Sequence, residues 1–293
     1  MQDLVWSMLG LIKANHCSSY ASQGSRYARL KQAANVLAIK NPKLTDVKNI
    51  KTKHIDQLIQ GWLDEGLKAG TIKNRMADLR WLARKINKQN IVKRENADYG
   101  IPDRVYVDND TNRAKDLTRD DLARLTDPYT RYALRLQQAF GLRREEAIKF
   151  RVHQADQGTH IHLAASWCKG GRPRKVPIRN AEQRALLTEI KVFCEEKNTP
   201  SLIPKERSYY QQRTSYQYQT KRYQVTWNHG LRHAYAQTRY TELTRGKISP
   251  KQGGDSKREL TQEQRQLDYE ARMVISDELG HGREGITTAY LGR

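Results

Sequence analysis

The stretch Leu279-Gly280-His281-Gly282-Arg283-Glu284-Gly285-Ile286-Thr287-Thr288-Ala289-Tyr290 decides how the rest of the chain is read. Leu279-Gly280-His281 is followed nine residues later by Tyr290. Upstream, His229-Gly230-Leu231-Arg232-His233 places His229 and Arg232 three apart, on one face of a helix. Further upstream, Gly141-Leu142-Arg143-Arg144-Glu145-Glu146-Ala147 opens a helix after an apolar one. Between these lies Lys169-Gly170-Gly171-Arg172-Pro173-Arg174, a basic turn flanked by strand-like His160–Leu163 and Lys175–Ile178, which together predict a β-hairpin. Each pattern alone also has an ordinary reading. Charged residues at a helix start usually form a solvated face, and a lysine in a turn is usually a basic loop.

Composition narrows the partner. The chain has 293 residues with 53 Lys+Arg against 32 Asp+Glu, a formal charge of +21. Residues 1–110 hold 19 basic and 11 acidic side chains, and the remainder 34 and 21, so both halves are basic. Such a spread fits a long contact with a polyanion, nucleic acid first, because neutralising phosphates along a duplex needs charge along the whole surface. Mean hydropathy is −0.87, and no apolar run approaches the ~20 residues of a membrane span. The apolar run Trp6–Ile12 is short, lacks a preceding basic region and is interrupted by Lys13, so a signal peptide is not expected. Cys17, Cys168 and Cys194 show neither paired nor metal-ligand spacing, which fits a reducing cytosol.

The length suggests two domains. Residues 1–95 read as a helical domain. Apolar residues recur at helical spacing over Val5–Ile12, Tyr27–Ile39, Ile55–Leu67 and from Ile72 through Met76, Leu79 and Ala83 to Ile86. Around the last of these, Lys73, Arg80 and Arg84 are candidate DNA contacts, as are Arg172 and Arg174 in the basic turn. Periodicity fades after Asn87, and Gly100, Pro102 and the polar run from Asp108 to Asn112 place a linker at residues 96–114. In residues 115–293, Thr118 is a helix cap for Asp121, and helices are expected over Tyr129–Phe140, from Glu145, over Ala181–Glu196 and over Gly230–Leu243. Lys205–Tyr223 reads as a low-complexity mixture of Tyr, Gln and basic residues, and 244–266 as an exposed loop. His153, His160 and His162 read as ordinary strand residues, not metal ligands.

Taken together, in this order and spacing, the four patterns resemble the catalytic signature of the tyrosine recombinases, or phage-type integrases, over roughly Leu117 to Tyr290. That resemblance implies a mostly α fold with a small β-hairpin: an N-terminal helical core-binding domain and a mixed α+β catalytic domain that clamp duplex DNA. It implies Tyr290 as nucleophile, forming a 3′-phosphotyrosyl link. Arg143 and Arg232 would clamp the scissile phosphate, with Arg144 the neighbouring alternative to Arg143. Lys169 would protonate the leaving 5′-oxygen, His229 would assist proton transfer at Tyr290, His281 would hydrogen-bond the phosphate, and Glu146 would support the first arginine. The chemistry is coherent. A tyrosine hydroxyl ionises only at about pH 10 and needs help to attack, and planar guanidinium groups pair well with phosphate oxygens.

No cofactor or metal is implied. The expected partners are a double-stranded crossover site, a homotetramer in synapsis from a free monomer, and accessory bending or directionality factors; no membrane is expected. Two features depart from the family: 48 residues separate Arg232 from His281, about twice the expected number, and only Leu291-Gly292-Arg293 follow Tyr290. A DNA-binding protein that keeps the fold without the reaction, and a type IB topoisomerase-like relaxing enzyme, are the alternatives.

Overall fold

A computed structural model describes residues 3–16, 19–105 and 111–293; Cys17 and the 106–110 part of the expected linker lie outside them. The chain divides into two compact units, Met1–Val105 and Tyr106–Arg293. The first holds α1 (Asp3–Ala14), α2 (Tyr20–Lys40), α3 (Thr52–Asp64) and α4 (Ala69–Lys85). The α4 stripe behaves as its spacing predicts: Ile72, Met76, Leu79, Ala83 and Ile86 are all buried. Asp78 is buried beside them and is held by Arg26 at 3.2 Å and Arg29 at 2.5 Å, which ties α2 to α4. Two candidate DNA contacts on α4 already have protein partners. Lys73 pairs with Asp103 at 2.9 Å, and Arg80 donates to the Lys93 carbonyl and, at 2.9 Å, to Asn96. Arg84 is exposed.

The second unit contains α5 (Arg119–Ala123), α6 (Pro128–Phe140), α7 (Arg144–Ile148) and α8 (Val152–Ala155), then β1 (His160–Leu163) and β2 (Arg174–Pro177). Five helices follow: α9 (Ala181–Glu196), α10 (Tyr209–Arg222), α11 (His229–Leu243), α12 (Gln262–Glu278) and α13 (Glu284–Leu291). The strands form an antiparallel pair, His160 opposite Pro177 and Leu163 opposite Arg174. Thr118 and Asp121 cap α5 reciprocally at 3.1 Å. The core gathers Leu134, Leu136 and Phe140 of α6 with Phe150, Leu163, Val176, Leu187, Ile190, Leu231 and Ile275. Burying each such side chain stabilises the unit by roughly 1.5–3 kcal/mol before entropy is counted.

Four readings of the sequence change. Tyr209–Arg222 is a regular helix, started by a Ser208–Gln211 capping box, where a low-complexity mixture was expected. The 244–266 segment is less of an exposed loop than its composition suggests. Thr244, Ser249 and Leu260 are buried, Thr244 Oγ1 donates to Tyr240 and Lys247 carbonyls, and α12 begins within it at Gln262. The connection from β1 to β2 is not a tight hairpin turn; it carries two short 3-10 turns, Ala165–Trp167 and Lys169–Gly171. His153 lies on α8, beside Glu195 at 3.6 Å, rather than on a strand.

Gly141, which ends α6, shows how closely this unit is packed. Its φ is +61°, and a Cβ there would lie 2.6 Å from the Tyr235 ring, so only glycine fits. The turn it makes delivers Leu142 to the core and Arg143 to the start of α7.

Candidate active site

Arg143 occupies the position before α7, with extended backbone, and Glu146 reaches back to it. The Glu146 carboxylate accepts the Arg143 backbone N–H at 2.7 Å and its Nη1 at 2.8 Å. Glu146 is fully buried; burial works to raise its pKa, but hydrogen bonds and charge from Arg174, with Arg143 adding to them, overcome this and hold it at about 2. The Arg143 side chain is 21% exposed, against 1% for Arg232.

Arg232, one turn into α11, is 1% exposed, yet every nitrogen of its guanidinium is paired. Nη1 donates to the Gly141 carbonyl at 2.5 Å, Nη2 to the Leu279 carbonyl, and Nε to the Tyr290 hydroxyl at 3.3 Å. Burial lowers its pKa to about 10, which leaves it protonated at neutral pH. These carbonyls end α6 and α12, so one side chain joins the segments that lead to Arg143 and His281.

His281 follows Gly280, whose φ of +68° turns the chain out of α12. Its Nε2 lies 3.1 Å from the Tyr290 hydroxyl and 3.3 Å from Arg232 Nη2. Burial, with the charges of Arg232, Arg143 and Arg174, pushes His281 down to about 4, so it is a neutral base at physiological pH. Tyr290, on α13, is 5% exposed. Its ring packs against His233 at 4.7 Å between centroids and lies 6.1 Å from His229. With Arg232 donating to the phenolic oxygen, the hydroxyl proton is free to point at His281. His229 is exposed, and among the described residues it makes ring contacts but no hydrogen bond to Tyr290. The geometry therefore gives His281, not His229, the place next to the phenolic proton.

Arg143, Glu146, His229, Arg232, His281 and Tyr290 thus gather in one cluster. Lys169 and Arg172 do not join it; both are exposed in the β1–β2 connection, and among the described residues neither has a hydrogen bond or ion pair. Arg174 is corrected: it is buried and forked onto Glu146 at 2.8 and 2.6 Å, so it is not a surface contact for DNA. The strand alternation held that signal, because Arg174 and Val176 share the inward face of β2. Sequence reasoning also passed over Gln237, whose Nε2 donates to the Tyr290 carbonyl at 3.1 Å and to Asn112 at 2.8 Å. Among the described residues no group of three or more His, Cys, Asp or Glu is placed to hold a metal ion, and no helix is long and apolar enough to cross a membrane.

The buried histidines make stability depend on pH. His233 is lowered to about 4, mainly by burial and then by the His229, Arg113, Lys251 and Arg232 charges. Its unfolded form binds a proton below about pH 6.5, so stability is full above that value and falls as pH drops toward 4. At about pH 5 the cost for this residue is on the order of 2 kcal/mol. Thermal unfolding should show Tm falling by several degrees between about pH 7 and pH 5, and His233→Asn should flatten that slope. An equally steep slope in the variant would remove His233 as its source.

Profile comparison matches residues 1–92 to a family described as phage integrase, N-terminal, and residues 107–238 to one described as integrase. The chain belongs to the tyrosine recombinase family. Solved tyrosine recombinases share its fold at low sequence identity. A lambda integrase tetramer bound to a Holliday junction superposes with a TM-score of 0.56 at 14% identity, covering 98% of this chain and 76% of that one. The Tn1549 transposon integrase in complex with circular intermediate DNA gives 0.55 at 14% identity over 99% and 95%. XerH site-specific recombinase bound to its difH substrate gives 0.56 at 14% over 98% and 80%. Curated protein sequences gave no match. The integrase match stops at residue 238, ahead of His281 and Tyr290. The Arg232 side chain, inside that match, reaches both of them.

Proposed function

We propose that this tyrosine recombinase is a site-specific DNA recombinase that cuts and rejoins duplex DNA for integration or excision of a phage or integrative element. The observation that carries the reading is the Tyr290 hydroxyl, held between the Arg232 guanidinium and a neutral His281. In the first half-reaction the Tyr290 oxygen attacks the scissile phosphorus as its proton passes to His281. A phosphotyrosyl bond forms at the 3′ side, and the bond to the 5′-oxygen breaks. That oxygen leaves as a hydroxyl, protonated by Lys169 from the exposed connection between β1 and β2. Arg143 and Arg232 stabilise the charge that builds on the pentavalent phosphorus, while His229, at the exposed edge of the cluster, hydrogen-bonds a phosphate oxygen. The covalent link conserves the phosphodiester energy, so rejoining runs by the reverse steps.

On this reading residues 1–95 form the core-binding domain, 96–114 the linker and 115–293 the catalytic domain, and four copies act together on two crossover sites in the cytoplasm. The fold's neighbours solved on DNA, one of them a tetramer on a Holliday junction, support that assembly. The +21 charge supports a strongly electrostatic grip. If six to ten phosphates are contacted, affinity should fall by roughly 10³–10⁵ between about 50 and 200 mM salt. A titration insensitive to salt would exclude that grip.

The test of function uses a pool of randomised duplexes, each nicked so that cleavage is trapped. The wild-type protein should retain a subset of sequences covalently under denaturing conditions. Relaxation of plasmid without sequence preference would favour a topoisomerase-like activity, and sequence-specific binding with no covalent capture would favour a binding protein of the same fold.

A further inference from the structure

Arg174 is a buried side chain, with all three guanidinium nitrogens paired, that the proposed chemistry does not use. Its Nη1 and Nη2 meet the two Glu146 oxygens at 2.8 and 2.6 Å, fork on fork, and Nη1 also lies 3.4 Å from Cys168 Sγ. Its Nε donates to the Glu278 carbonyl at 2.7 Å. A Cβ on Gly280 would come within 3.0 Å of its Cδ, so the side chain packs directly under the turn that carries His281. One residue therefore touches the segment before Lys169, the carboxylate that holds Arg143, and the end of α12 just ahead of His281.

The partition of bonds on Glu146 is informative. Oε1 receives Arg143 Nη1 and Arg174 Nη1, and Oε2 receives the Arg143 backbone N–H and Arg174 Nη2. Arg143 thus spends one guanidinium nitrogen on the carboxylate, while Arg174 takes the two-oxygen pairing that a fully desolvated carboxylate demands. A lone buried Glu146 would draw the remaining Arg143 nitrogens into that pairing.

We infer that Arg174 is a positioning residue for DNA cleavage: by occupying both oxygens of Glu146 it prevents that carboxylate from capturing Arg143 and leaves the Arg143 guanidinium open to the scissile phosphate. This rests on the recombinase reading above. It also makes a demand that a purely structural arginine does not. Once Arg174 is gone, removing the charge of Glu146 should help rather than harm.

The experiment uses nicked duplexes recovered from the randomised pool by covalent capture on the full-length wild-type protein. Arg174→Gln should bind them within a few-fold of wild type but form the covalent adduct about 100-fold more slowly. Adding Glu146→Gln to it should recover roughly tenfold of that loss, since no carboxylate remains to capture Arg143. Arg174→Lys, which keeps the charge but offers a point donor in place of the fork, should also be slowed and be relieved by Glu146→Gln. It carries the test if Arg174→Gln does not fold, as judged by thermal unfolding. A folded Arg174 variant that cleaves at the wild-type rate overturns the inference. So does a folded double variant no faster than its Arg174 parent. A wild-type protein that captures no duplex at all overturns the recombinase reading itself, and this inference with it.

Discussion

Tyr290→Phe should abolish covalent capture of DNA while leaving duplex affinity within a few-fold of wild type. The substitution removes one oxygen and keeps the ring that packs against His233 and lies near His281. The missing hydroxyl leaves Arg232 Nε without its partner, and an unpaired buried donor costs about 1–3 kcal/mol. The second unit's core, which includes Leu279 and Leu291 around the site, should absorb that loss. Capture on a nicked duplex should therefore drop below detection, Tm should fall by a few degrees, and binding should barely move. Residual adduct in the variant would mean that another residue attacks the phosphate.

Arg232→Lys should produce the next largest effect, on two measurements at once. An ammonium cannot span the Gly141 and Leu279 carbonyls together with the phenolic oxygen, as the guanidinium does. Each buried carbonyl left unpaired costs about 1–3 kcal/mol, so Tm should fall further than in Tyr290→Phe. The lost charge-assisted donors to the phosphate should slow adduct formation by at least about 10²–10³, the scale of removing one donor aimed at developing charge. Duplex affinity, spread over many phosphates, should change little. If adduct formation survived at the wild-type rate, Arg232 would be a structural strut rather than part of the clamp.

How much of this was legible in the sequence depended on which force placed each residue. The α4 stripe was legible because Ile72, Met76, Leu79, Ala83 and Ile86 pack into an apolar core, and helical periodicity reports that kind of packing directly. The α10 and α12 helices were not. Their inward faces mix polar and apolar side chains: Gln212, Tyr216 and Thr220 on α10, and on α12 Asp268, Ala271, Arg272, Ile275 and Glu278. There burial of the polar side chains is offset by hydrogen bonds and ion pairs, such as Arg272 on Asp268 at 2.8 Å and the Tyr240 hydroxyl on Asp268 at 2.7 Å, which dilutes the apolar signal on each face. Both helices nevertheless carried a start signal, in the Ser208–Gln211 and Thr261–Gln264 capping boxes. At the site, the motif spacing pointed to Arg143, Arg232, His281 and Tyr290, which the fold brings together from four helical segments. The spacing could not rank the two histidines around the phenolic proton, because that depends on a ring placed by the Gly280 turn. Read as a basic turn, the segment hid the difference between exposed Arg172 and buried Arg174, which only the alternation of Arg174 with Val176 carried.

The most direct test is to find where the DNA becomes attached. Wild-type protein captured on a nicked duplex should be digested with protease and nuclease, and the modified peptide sequenced by mass spectrometry. A nucleotide joined through its 3′-phosphate to Tyr290, with a free 5′-hydroxyl on the released strand, is the expected result. Attachment at any other residue, linkage through a 5′-phosphate, or no covalent species at all would contradict the account.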